Sequence, residues 1–186
     1  MAMRMERIFR DYETQLAAQS QRAVEQEAQD VHRVEYGKLL FSDRLAGQLG
    51  RTLRVGTGDS LQWEGSLESV GRGWIQLQSF SENILIPQNS INWWEGGTAF
   101  SSVDARSVAR SLSLGYAFRA LADARIPVRI FHQFGSSTIE GTVERVGLDF
   151  LEIALHPLEG HYRSQEIRGW RSIQLSNISA CCSLTV

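Results

Sequence analysis

From Thr52 onward, apolar and polar residues alternate in short bursts, each closed by glycine, asparagine, serine or proline. This period of two is that of β-strands with one buried face. "TLRVGTG" predicts a first strand, "LQWEGSLESV" a second, "GWIQLQSF" a third, "NILIP" a fourth and "INWW" a fifth. Turn residues separate them at Gly58-Asp59, Gly71–Gly73, Ser81–Asn83 and Pro87–Ser90. Before this block the period changes. Over residues 3–36, Met5, Ile8, Phe9, Tyr12, Leu16, Val24, Ala28 and Val31 recur mostly every three or four positions, and no Gly or Pro intervenes before Gly37. That spacing predicts a long helix with a thin apolar stripe, suited to lying on another helix or folding back on its own chain. "FSDRLAGQLG" predicts a short helix capped by Ser42, with Leu45 and Leu49 on one face and Gly50 at its end. Past a small, polar stretch at residues 97–106, "SVARSLSLGYAFRALADA" predicts one helix with Val108, Leu112, Tyr116 and Leu121 on its apolar face and Phe118 alongside. A second β-rich block runs from Pro127 to the C-terminus.

The second block repeats the first. "EGSLESVGRGWIQL" (64–77) is echoed by "EGTVERVGLDFLEI" (140–153), a shift of 76 residues (141 − 65). Upstream, "LRV" (53–55) matches "VRI" (128–130), with one extra residue in the following turn. Downstream, "ILIPQNSI" (84–91) matches "RSIQLSNI" (171–178), a shift of 87 (178 − 91). The second copy therefore carries 11 extra residues (87 − 76), within "HPLEGHYRSQEIRGW". Agreement in strand pattern, glycine turns and preceding helix points to two copies of one small unit. Five short strands in so few residues bury their apolar faces by curling into a barrel.

Composition narrows the function classes. The net charge of −2 lacks the basic excess of a dedicated nucleic-acid binder. Basic residues are almost all Arg, scattered along the chain, with Lys38 the single lysine. No apolar run approaches the ~20 residues of a membrane span, and the N-terminus has no apolar signal region, so a cytoplasmic protein is expected. The two cysteines, Cys181 and Cys182, are adjacent and form neither a disulfide framework nor a metal clip.

No pattern for catalysis emerges. "VGTGDS" (55–60) contains a glycine pair but links two strands, whereas a phosphate loop needs a following helix. His156, Glu159 and His161 cluster in the insertion without an evident third and fourth ligand. Glu64, Glu68, Glu140 and Glu144 sit at repeat-related strand positions and read as solvated surface. No nucleophile stands beside a base, and neither enzyme activity nor a cofactor is expected. Trp93-Trp94 at the end of the fifth strand and Trp170 in the insertion are the strongest binding candidates, because neighbours on a strand face opposite sides and an exposed Trp serves as an anchor.

The helix-plus-five-strand unit, its "G-(S/T)-(L/V)-E-x-V-G" second strand and the short turn before the fifth strand resemble the Sm-like (SH3-type) barrel. The phrases "FSDRLAGQLGRTLRV", "SLGYAFRALADARIPVRI" and "VERVGLDFLEIALH" are similar to a family of uncharacterised actinobacterial proteins often labelled "Fis family transcriptional regulator". Such a label implies a C-terminal helix-turn-helix. Here "RSIQLSNISACCSLTV" reads as strand, and residues 113–186 hold as many Arg as Asp plus Glu. The Sm resemblance implies an Asp on the turn between strands two and three and an Asn on strand three, which hold a uracil. Those places carry Gly71 and Ile75 in one copy, Gly147 and Leu151 in the other. An Arg-Gly pair, the third element of that pocket, occurs once, at Arg168-Gly169.

The sequence thus predicts a mainly β chain: a helical arm over 1–41, a first Sm-like barrel over 42–96, a linker over 97–106 and a second barrel over 107–186 with an insertion at about 155–170. It predicts a non-enzymatic interaction module. Candidate partner contacts are Trp94, Trp170 and Arg168; a helix interface would use Ile8, Tyr12, Leu16, Val24 and Val31. The alternative is an RNA- or DNA-binding regulator using Arg54, Arg129, Arg168 and Arg171.

Overall fold

The computed structural model describes residues 20–22, 25–27, 29–58, 60–102, 108–133, 138–158 and 167–184. Ile8, Tyr12, Leu16 and Val24 of the expected helix interface lie outside them, as do Glu159 and His161. Residues 1–40 and 41–186 form two units. In the first, the described residues up to Tyr36 are helical and exposed, Val31 among them. Gly37 closes the helix by donating its N–H to the Arg33 carbonyl at 3.0 Å.

The second unit is mainly β. Its strands are β1 (Thr52–Thr57), β2 (Leu61–Gly71), β3 (Trp74–Gln78), β4 (Glu82–Pro87), β5 (Ile91–Gly96), β6 (Pro127–His132), β7 (Thr138–Val146), β8 (Phe150–Leu155), β9 (Trp170–Gln174) and β10 (Ile178–Leu184). Among the described residues three α-helices accompany them, α1 (Phe41–Ala46), α2 (Val108–Ser111) and α3 (Leu114–Asp123), with short 3-10 turns at Gln88–Ser90 and Leu175–Asn177. All ten strands belong to one antiparallel sheet in the order β5-β1-β2-β3-β4-β10-β6-β7-β8-β9.

The repeat is reproduced residue for residue in the pairing. Trp74 opposes Pro87 on β3–β4, and Phe150 opposes Gln174 on β8–β9. Leu53 opposes Gly96 on β1–β5, and Val128 opposes Ser183 on β6–β10. The bulge between Leu67 and Ser69 on β2 recurs between Val143 and Arg145 on β7. Each five-strand half has its own core. Leu45, Leu53, Val55, Leu67, Ile75, Leu77 and Ile86 fill the first; Phe118, Val128, Ile130, Leu151, Ile153 and Ile178 fill the second.

Strand β10 joins the halves. It pairs with β6 on one side and β4 on the other, Cys181 opposite Leu85 and Cys182 opposite Ile84. Successive residues face opposite sides, so Cys181 enters the second core while Ala180 and Cys182 enter the first. Both faces are covered, and the sequence "ISACCS" shows no alternation for that reason. Trp63 of β2 meets Phe131 of β6 edge-on, ring centroids 4.8 Å apart. The buried Ser90 hydroxyl, between β4 and β5, lies 2.8 Å from the Ser179 carbonyl of β10.

Burial pushes the Cys182 thiol up from 9.0 to about 12, with the Glu82 charge adding to the effect, and raises Cys181 in the same direction. Both thiols are therefore expected to stay protonated and unlabelled by a thiol-specific reagent at pH 8, and to react together when the chain is unfolded. Labelling of the folded chain at the unfolded rate would contradict this burial.

Two helix expectations need correction. α1 starts at Phe41, which puts Ser42 inside the first turn instead of at the cap, and ends at Ala46; Leu45 is buried but Leu49 is exposed. Residues 108–123 form two helices, because Ser113 takes up extended backbone and its hydroxyl accepts the Tyr116 N–H, restarting the chain as α3. Phe118 is the core anchor of α3, while Val108 and Tyr116 are exposed.

The first part of the expected linker is tied down. Gln48, fully buried, donates its side-chain amide to the Phe100 carbonyl at 2.6 Å and accepts the Thr98 N–H at 2.7 Å. Asp43, also buried, holds the Arg110 guanidinium of α2 and accepts the Ser102 N–H on its carbonyl. Replacing Gln48 with alanine removes both hydrogen bonds and empties the place of a fully buried side chain, while the Phe100 carbonyl keeps the Arg44 guanidinium as a donor. It is expected to cost about 2–3 kcal/mol in chemical denaturation; a change under about 0.5 kcal/mol would show that the clasp carries no stability.

Candidate binding edges

Among the described residues, a ten-stranded order with two ends leaves two strands paired on one side only: β5 and β9. An open edge presents unpaired N–H and C=O groups to any strand that fits. Soluble proteins commonly blunt such edges with charges, proline or bulges; "INWWEG" and "WRSIQ" contain no lysine or proline, one charge each, and β5 a bulge at Asn92.

β5 is set by β1. Gly56 stands opposite Trp93, and a Cβ on that glycine would lie only 2.2 Å from the Trp93 ring, so the indole lies flat across the glycine. Trp93 remains 40% exposed. Trp94, the expected contact, is the more enclosed of the pair: it packs against the first core, with the Arg44 guanidinium 5.3 Å from its ring centre. Glu95, exposed, pairs with Arg54 at 2.9 Å. Gly96 and Gly97 follow, both at positive φ (96° and 68°), conformations that favour glycine.

β9 carries Trp170, Arg171 and Ser172 exposed, with only Ile173 buried. Trp170 is 61% exposed. Arg168 is exposed just before the strand. Arg168 and Arg171 border a shallow hollow shared with Glu140, His156 and Pro157. Both ring nitrogens of His156 already have protein partners. Its Nδ1 lies 2.9 Å from the Pro157 carbonyl, which only accepts, so Nδ1 donates; Nε2, 2.8 Å from Thr142 Oγ1, then accepts that hydroxyl. Among the described residues no cluster of His, Cys, Asp and Glu could hold a metal.

The four arginines of the nucleic-acid alternative do not form one patch. Arg54 is paired with Glu95, and Arg129 with Glu140 at 2.9 Å. Arg168 and Arg171 line one hollow together with Glu140, the partner of Arg129. Ile75 and Leu151 are fully buried in the two cores, and Gly71 and Gly147 lie under the rings of Trp74 and Phe150. Each glycine accommodates an aromatic ring where a uridine pocket would need a carboxylate.

A separate apolar cleft of about 270 Å³ lies between α3 and the sheet, lined by Trp74, Leu85, Leu112, Tyr116 and Leu121. Its polar members Gln76 and Asn83 bond each other at 3.1 Å.

Sequence reasoning singled out Trp170 and Arg171 but missed Glu95 and Gly96. The repeat alignment contained the signal: it places Gly96 on Ser183 and Glu95 on Cys182, residues of the one strand that already pairs across the two copies. Compared with known protein families and with curated proteins, the chain matches no family model and no curated relative. No helix among the described residues is long and apolar enough to cross a membrane.

Proposed function

We propose that the chain is a non-enzymatic interaction module of the cytoplasm, built from two tandem Sm-like (SH3-type) barrels fused through a shared strand pair, which binds protein by adding a strand to its open edges. The fold reading rests on the five-strand order of each half and their matching registers. The single observation that carries the function is the pair of edges, β5 and β9, that no other described strand covers, each with a Trp at least 40% exposed. Main-chain hydrogen bonds supply affinity in this mode, and alternate side chains supply selectivity. The helical arm is a second surface for a helix of a partner or of another copy. The nucleic-acid reading is weaker, because two of its four arginines already face carboxylates.

Hydroxyl-radical footprinting of the full chain in cell extract tests this reading. Oxidation of Trp93 and Trp170 is expected to fall in the associated species, while Tyr116 on α3 stays labelled. Association that leaves both tryptophans fully labelled would overturn the reading. Association that dissolves with nuclease and weakens steeply with salt would replace it with nucleic-acid binding.

A further inference from the structure

The cleft under α3 is built where the two halves meet. Its floor is one face of three neighbouring strands: Trp74 and Gln76 of β3, Asn83 and Leu85 of β4, Cys181 and Ser183 of β10. Residues two apart on a strand share a face. The register sets Leu85 between Gln76 and Cys181, and Asn83 beside Ser183. The roof is α3, whose Ala117 and Ala120, three apart and so on one side of the helix, leave open the space that larger side chains would fill. The cleft measures about 270 Å³. An apolar cavity of about 150 Å³ takes up benzene, and drug-sized sites begin near about 300 Å³. The volume therefore suits one ring with a short substituent.

The chemistry of the lining narrows the ligand. Among the described residues that line the cleft, none is Asp, Glu, Lys, Arg or His. A charged ligand would lose its hydration there and gain no counter-ion. The polar groups are clustered on the floor and only partly satisfied. Gln76 donates to Asn83 Oδ1 at 3.1 Å, which leaves Gln76 Oε1 and Asn83 Nδ2 without a partner among the described residues. If both side-chain amides turn over, the result is the same: one residue offers a C=O and the other an N–H. A second observation stands beside them. Ser183 is only 7% exposed, and its hydroxyl, on the cleft side of β10, also has no partner among the described residues. A polar group so enclosed costs free energy until a ligand or water meets it.

We propose that this cleft binds a small uncharged ligand carrying an amide on an aromatic or alicyclic ring. The ring fills the space between Leu85, Trp74 and the two alanines of α3. The amide supplies both complements, a C=O for the Asn83 N–H and an N–H for Gln76 Oε1, and the Ser183 hydroxyl gives or takes a further hydrogen bond. β3 and β4 belong to the first half, β10 and α3 to the second, so an occupant contacts both and stabilises the folded chain by mass action.

Two-dimensional ¹H–¹⁵N NMR of the purified full chain, titrated with benzamide, tests this site. The backbone amides of Gln76, Asn83 and Ser183 and the indole N–H of Trp74 are expected to shift together along one saturable curve. Benzoate has the same shape with a charge and is expected to bind at least about tenfold more weakly. Acetophenone keeps the carbonyl but has no N–H, and is also expected to bind more weakly. Ala117→Leu fills the cleft from its roof and is expected to abolish the benzamide shifts with an unchanged circular dichroism spectrum; the comparison of the three ligands on the wild type holds whether or not that variant folds. Benzamide that moves none of the four signals at its solubility limit overturns the site, as do shifts confined to β5 and β9. Benzoate or acetophenone binding as tightly as benzamide overturns the amide assignment.

Discussion

Replacing Gly141 with valine is expected to destabilise the fold by roughly 4 kcal/mol or more, the range reserved for severe steric lesions. Gly141 sits where β7 bends between β6 and β8, opposite Val128 on one side and Leu155 on the other. A Cβ there would stand 2.0 Å from the Ala154 carbonyl oxygen, a main-chain atom that can yield only by breaking the β8 ladder. Its repeat partner Gly65 faces the Gln78 carbonyl in the same way, with a milder approach of 2.6 Å. The loss should therefore be graded, Gly141→Ala costing more than Gly65→Ala and Gly141→Val most. For a chain of this size, 4 kcal/mol lowers the thermal midpoint by about 8–16 °C. Equal midpoints for wild type and Gly141→Val would contradict the sheet geometry.

Truncating Trp74 to alanine is expected to cost about 3–5 kcal/mol, as for a large buried aromatic. Trp74 begins β3 of the first half, yet it belongs to the core of the second and donates its indole N–H to Leu112. Removing it leaves a cavity at the seam and takes one of two donors from the Leu112 carbonyl, which keeps the Arg72 N–H. Phe150→Ala, the repeat-related change at an exposed ring, should cost far less in a single chain. The contrast between these two substitutions, read in urea denaturation, measures how far repeat-related positions diverge when only one of them is covered.

Much of the fold was legible because alternation reports which face of a strand is buried. The echo of "EGSLESVGRGWIQL" in "EGTVERVGLDFLEI" located β2–β3 and β7–β8 and the glycine turns between them. Alternation does not report what lies beside an edge. The pairing of β4 with β10, which makes ten strands one sheet, left no trace but the unbroken small and apolar run "ISACCS". The break between α2 and α3 was hidden by a helical period that continues across it; Ser113 gives it away only once its hydroxyl is seen to accept from Tyr116. The candidate site divides the same way. Trp170 stood out as a large residue, but Gly96 has no side chain to signal with, and its place at the outer strand opposite Leu53 follows only from the strand pairing.

Amide hydrogen exchange on β5 and β9 tests the central claim most directly. In dilute, purified chain the backbone N–H groups on the outer sides of Ile91–Gly96 and Trp170–Gln174 should exchange quickly, while β4 and β10, already paired with each other, stay protected. As concentration rises, or as the native partner is added, protection should appear on the two edges with no change at the internal junction. Rapid exchange at both edges in every associated state, with protection arising elsewhere on the surface, would contradict binding by strand addition.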